Sequence, residues 1–131
     1  MENEEKGYLY ETHLHTYPVS KCARATVRET LEWYKDKQYA GVFITNHYID
    51  GNINIDRELP YQERIRFYFS DYEEAVLVGK ELGLPVFCGV EMSYKGTDFL
   101  VYGLDQEWRF IMPVATILKI KWQKNMPKLI T

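Results

Sequence analysis

The sequence predicts an α/β fold with a largely parallel sheet, and three observations lead there. Two short apolar runs, "AGVFIT" at 40–45 and "PVFCGV" at 85–90, read as strands buried on both faces. Segments of helical periodicity alternate with them, each preceded by a capping-box signature. The first segment, "YLYETHLH" at 8–15, alternates with period two and is rich in tyrosine, as a strand should be.

Taken in order, that first strand is followed by a turn-like "YPVSK" and then by "TVRE" at 26–29, where Thr26 and Glu29 can satisfy free N–H groups at a helix start. The helix is expected to run to about Gln38, with Val27, Leu31 and Tyr34 along one face. "AGVFIT" completes a βαβ unit. After an irregular stretch from Asn46 to about Ser70, "SDYE" at 70–73 supplies a second capping box. A second helix through "EEAVLVGKEL" ends at Gly83, with Pro85 close behind. "PVFCGV" is the third strand, and "YKGT" reads as a turn into a fourth, "DFLVYG", paired as a hairpin.

Composition bounds the function. A chain of 131 residues is one domain with room for a core, and 46% hydrophobic content excludes a disordered chain. No apolar run approaches the ~18–20 residues that cross a bilayer, and "MENEEKG" is unlike a signal peptide. Two cysteines, Cys22 and Cys88, are too few for a disulfide scaffold, so reduced thiols and a cytoplasmic location are expected. A net charge of −3 gives nucleic acid no footing. The charge is uneven, however: residues 106–131 hold five basic side chains and one acidic, a balance of +4 against −7 for the remainder.

The polar residues fall where the strands end. The first strand ends at His13 and His15, the second at "TNH" with His47, and the third at "GVE" with Glu91. In parallel α/β sheets, catalytic groups gather at the carboxyl ends of the strands. Strand periodicity puts His13 and His15 on one face, so all three histidines of the chain and one carboxylate share a rim. Imidazole and carboxylate together suit zinc, manganese or iron better than calcium or magnesium. Taken singly, His47 also reads as a hydrogen-bonded loop residue and Glu91 as a solvated acid. Cys88 reads as core packing, and Cys22 as either an incidental thiol or a ligand. No P-loop, Gly-x-Ser-x-Gly elbow or Gly-x-Gly-x-x-Gly motif is present.

"HLHT", "TNH" and "GVE", in this order and at these intervals, resemble the PHP family, named for polymerase and histidinol phosphatase. The resemblance covers about residues 8–105. It implies a distorted (β/α)7 barrel, of which this chain would hold the N-terminal part. It also implies one to three divalent transition-metal ions (manganese, zinc or iron), with fewer here, and metal-dependent hydrolysis of phosphoesters. Carried over, His13 and His15 look like ligands of one metal, Glu91 like a bridging carboxylate, and His47 like a ligand of a third. Cys22 stands where some members carry another histidine, and Asp98 near a further family ligand. Lys21, Arg24 and Arg64 are candidates to meet the phosphate of a small-molecule substrate, or solvated surface charges.

The chain also departs from the family pattern. Asn46 replaces the usual aspartate, and no histidine follows His47, so the family's later ligands have no counterparts. The alternative function is therefore an inactive PHP remnant, serving as a metal-binding or interaction module. An amidohydrolase, whose barrel also opens with His-x-His, fits the "TNH" and "GVE" strand ends less well. A truncated barrel leaves an open sheet edge. Either the divergent basic tail at 106–131 or a second copy in a homodimer is expected to cover it.

Overall fold

The computed structural model describes residues 7–49 and 51–103. Six elements follow in the order β1 (Tyr10–Leu14), α1 (Val27–Asp36), β2 (Gly41–Ile44), α2 (Tyr61–Leu82), β3 (Val86–Tyr94) and β4 (Thr97–Tyr102). They form one four-stranded sheet ordered β1-β2-β3-β4. The first three strands are parallel, and β4 returns antiparallel through a Lys95–Gly96 turn in which both residues have positive φ. The sheet curls into a partial, distorted barrel. The curl is strong enough for the Tyr102 hydroxyl on β4 to donate to the Thr12 carbonyl on β1, across the two strands between. The predicted tail at 106–131 lies outside the described residues.

Both helices pack on one face of this sheet. Val27 and Leu31 of α1 join Leu14, Val42, Ile44, Ala75, Val78 and Leu84 in one buried cluster. Val19, Tyr48, Ile65, Tyr68, Phe69, Val90, Met92 and Val101 lie in a second. Strand alternation sends the intervening residues to the concave face, where Phe43 stacks on Phe87 at 4.8 Å and meets Tyr102 edge-on at 5.3 Å. Glycines make room for these rings. A Cβ on Gly41 would lie 2.9 Å from the Tyr10 ring, and one on Gly89 would lie 3.0 Å from the Tyr102 ring.

The Thr26 cap forms as expected, its hydroxyl accepting from Glu29 N at 3.3 Å. Helix α1 ends at Asp36, because Gln38 takes positive φ. The second capping box does not form. Helix α2 begins ten residues earlier than "SDYE" suggests, after Pro60, and Ser70 lies mid-helix with its hydroxyl donating to Phe67 O at 2.6 Å. Proline pre-sets the backbone at a helix start, and the apolar face of residues 61–69 buries Ile65, Tyr68 and Phe69. That burial, invisible to a local cap signal, sets where α2 starts. The stop at Gly83 is as predicted, left-handed at φ 70°.

Candidate metal centre

Local geometry brings the histidines together. Between Glu11 and Leu14 the β1–β2 register slips by a bulge, and Leu14 turns into the core. His13 and His15, on either side of it, turn to the concave face, and their Nε2 atoms lie 3.2 Å apart. β2 carries past its last paired residue through an isolated bridge between His47 and Glu91, which seats His47 beside β3. Backbone bonds from Glu91 N to Asn46 O (3.1 Å) and from Tyr48 N to Glu91 O (2.9 Å) hold that seating.

The three imidazoles converge on one carboxylate oxygen. Glu91 Oε2 lies 2.6 Å from His15 Nε2, 3.3 Å from His47 Nδ1 and 3.4 Å from His13 Nε2. Glu91 is 7% exposed, yet Oε2 has no aligned hydrogen-bond donor. Close approach without pairwise alignment is what donors aimed at a common point produce. The separations of 3.2 and 3.4 Å match the edges, about 3.3–3.4 Å, of a tetrahedron built on metal–ligand bonds of about 2.0–2.1 Å. The third edge, at 2.6 Å, is tighter. His13, His15 and Glu91 thus form one donor set, and His15, Cys22 and His47 form another. The donor types and the orphaned carboxylate oxygen fit a divalent transition metal.

The electrostatics favour binding. Burial, then the neighbouring His47, holds His15 below the ordinary imidazole value, outweighing the opposite pull of Glu91. His15 is therefore neutral at pH 7 and has a lone pair to give.

A buried polar network, largely missed from sequence, holds the Cys22 loop against this rim. Asn46 Oδ1 accepts from Thr16 N at 2.7 Å and Ser20 Oγ at 2.8 Å, and its Nδ2 donates to Thr16 Oγ1 at 2.9 Å. Asn46 therefore bonds the loop rather than a histidine. Asp71, from the middle of α2, accepts from Thr16 Oγ1 (2.8 Å) and Val19 N (3.2 Å). Tyr68 donates to Asn46 O at 2.9 Å. An aspartate on the otherwise apolar face of "RIRFYFSDYEEAVLV" was the one available signal of this network.

The remaining candidates are placed apart from the convergence point. Asp98 faces Ser93 across the β3–β4 hairpin, accepting its hydroxyl at 2.5 Å, and belongs to neither donor set. Arg64 lies in the first turns of α2, its guanidinium 5.7 Å from the Tyr61 ring. Lys21 is exposed on the loop beside Cys22. Arg24 lies closer to the chemistry. It lines a groove of about 540 Å³ with Leu14, Ala23, Trp33 and Tyr34, and His15 stands in the same wall. Cys88 packs against the core as expected. No helix among the described residues is long and apolar enough to cross a membrane.

No protein-family model matches this chain, and no curated protein does. Among solved structures, the chain is similar to a crystal structure from Bifidobacterium adolescentis, provisionally described as a metal-dependent phosphoesterase, at 19% identity and a TM-score of 0.45. The match covers 74% of this chain, which spans only 27% of the length of that structure.

Proposed function

We propose that this chain carries the metal-binding rim of a PHP-type hydrolase acting on phosphorylated small molecules. The observation that carries the reading is the approach of three imidazole nitrogens to the buried Glu91 Oε2. The ordered motifs "HLHT", "TNH" and "GVE" support it. A bound divalent ion supplies Lewis acidity toward phosphoryl oxygens and lowers the pKa of water.

The chain's own residues do the rest. His13, His15 and Glu91 would hold the ion, with His47 beside them. Burial of Glu91 and His15 excludes water from behind the donors and strengthens their attraction for a cation. The guanidinium of Arg24, in the groove that His15 also lines, presents planar N–H donors suited to phosphate oxygens. The apolar wall of Leu14, Trp33 and Tyr34 gives the esterified group a place to rest.

The test is metal content by elemental mass spectrometry on chain purified without chelators, followed by a screen of phosphomonoesters. About one zinc, manganese or iron per chain, lost in His13→Ala/His15→Ala together with any hydrolysis, is the expected result. Metal no higher than in that variant overturns the reading.

A second reading is favoured by the donor count. A two-ion clamp on an in-line displacement needs two closely held metals. Among the described residues, three imidazoles, one buried carboxylate and one thiol are what this rim offers. A metal-holding module without turnover accounts for that set, and metal bound without hydrolysis in the same experiment selects it.

A further inference from the structure

His15 belongs to both donor sets, through different nitrogens. Its Nε2 faces Glu91 Oε2 and His13 Nε2, whereas its Nδ1 lies 3.0 Å from Cys22 Sγ. A neutral imidazole has one unprotonated nitrogen, so His15 can serve one set at a time. The two sets differ in chemistry. One, with His13 and Glu91, offers nitrogen and a hard carboxylate oxygen. The other, with Cys22 and His47, offers nitrogen and a soft sulfur.

We propose that His15 acts as a selector, and that zinc binds through Cys22, His47 and His15 Nδ1, excluding an ion from the His13/Glu91 set. This rests on the metal-centre reading above and names which side of it a soft ion takes. Sulfur favours zinc over manganese, and three protein ligands with an exposed Cys22 leave a fourth position open to water or substrate. With the ion on Nδ1, the proton resides on Nε2, whose nearest carboxylate oxygen is Glu91 Oε2 at 2.6 Å. Aligned, that contact would make the orphaned oxygen the acceptor that orients a ligating histidine. Glu91 then positions His15 and does not touch the ion. A harder ion such as manganese takes the opposite tautomer, with Nε2 bare toward Glu91 and Nδ1–H toward the sulfur.

Cobalt(II), a spectroscopic stand-in for zinc, tests this on the metal-free full chain. The expected result is one cobalt per chain with a near-ultraviolet thiolate-to-cobalt absorption that zinc abolishes on displacement. Cys22→Ser should remove the band and weaken zinc by at least about 10–100-fold, the loss typical of removing even an outer partner of a ligand. Manganese affinity should stay unchanged in Cys22→Ser, and Glu91→Gln should keep the cobalt band. Cobalt bound without the band overturns the selector while leaving the metal centre standing. Two cobalt ions per chain overturn the exclusion. No bound ion at all overturns both this inference and the reading beneath it.

Discussion

His15 titrates against its surroundings, and that makes a pH prediction. Burial first, and then His47, holds it below its ordinary 6.5 in the folded chain. On acidification through that value the unfolded chain takes up a proton that the folded chain refuses. The stability of the metal-free chain should therefore fall as pH drops from 6.5 toward the lowered folded value, and hold steady above it. His15→Asn should flatten that part of the profile, read as urea midpoints between neutral pH and about pH 5.5. Equal slopes in both chains would place the acid sensitivity elsewhere. Metal affinity should weaken only as pH falls to the lowered folded value and below it, where protons begin to compete for the ligand nitrogen.

The elements are tied together through α2, and two of its residues carry predictions. Asp71 reaches from mid-helix to Thr16 and Val19, so it fixes the loop that carries Cys22. Asp71→Ala should cost about 1–3 kcal/mol by stranding those donors, and should loosen metal binding through Cys22. Asp71→Asn keeps an acceptor oxygen and should lie within about 1 kcal/mol of the parent chain. Burial raises the Asp71 carboxyl above 3.8, its hydrogen bonds opposing that shift by less. As pH rises through this window the folded chain holds a proton the unfolded chain has lost, so ionisation erodes stability, and Asp71→Asn should abolish that loss. One turn before the helix ends, a Cβ on Gly79 would lie 2.5 Å from Leu84 O and 2.7 Å from Val86 Cγ2. The obstruction includes backbone, which cannot swing aside. Gly79→Ala should therefore destabilise by about 1–3 kcal/mol despite alanine's better helix propensity, as urea denaturation would show.

At the scale of the whole molecule, the open sheet is the feature that asks for a partner. Among the described residues β1 is an outer strand, and Tyr8, Leu9 and Tyr10 on and before it are exposed, as is Phe87 nearby on the concave face. Unpaired edges and contiguous apolar surface drive association. A homodimer closing this edge should appear as twice the chain mass in sedimentation equilibrium, and Leu9→Lys, which charges the edge, should return it to the monomer. A parent chain monomeric at every concentration would count against the homodimer. The curl is held separately, by the Tyr102 hydroxyl on Thr12 O beside His13, so the shape of the sheet and the position of one candidate ligand are coupled.

The sequence by itself determined the alternation of strands and helices, the hairpin at Lys95–Gly96, the stop at Gly83 and the shared face of His13 and His15. All of these follow from local periodicity and backbone preference over a few residues. It also placed the histidines at or just past strand ends, where apolar runs stop, but it ended the third strand too early: β3 runs on to Tyr94, so Glu91 lies inside it. Only the tertiary structure decided the distances that make four side chains a site. Those depend on a bulge in β1, on the His47–Glu91 bridge and on how far the sheet curls. Long-range burial moved the start of α2 back to Tyr61, where no local cap announces it. The pairing of Asp98 with Ser93, the loop-holding role of Asn46 and the reach of Asp71 are likewise contacts between residues distant along the chain or across strands. Local pattern does not encode such contacts, because each depends on where separate elements pack.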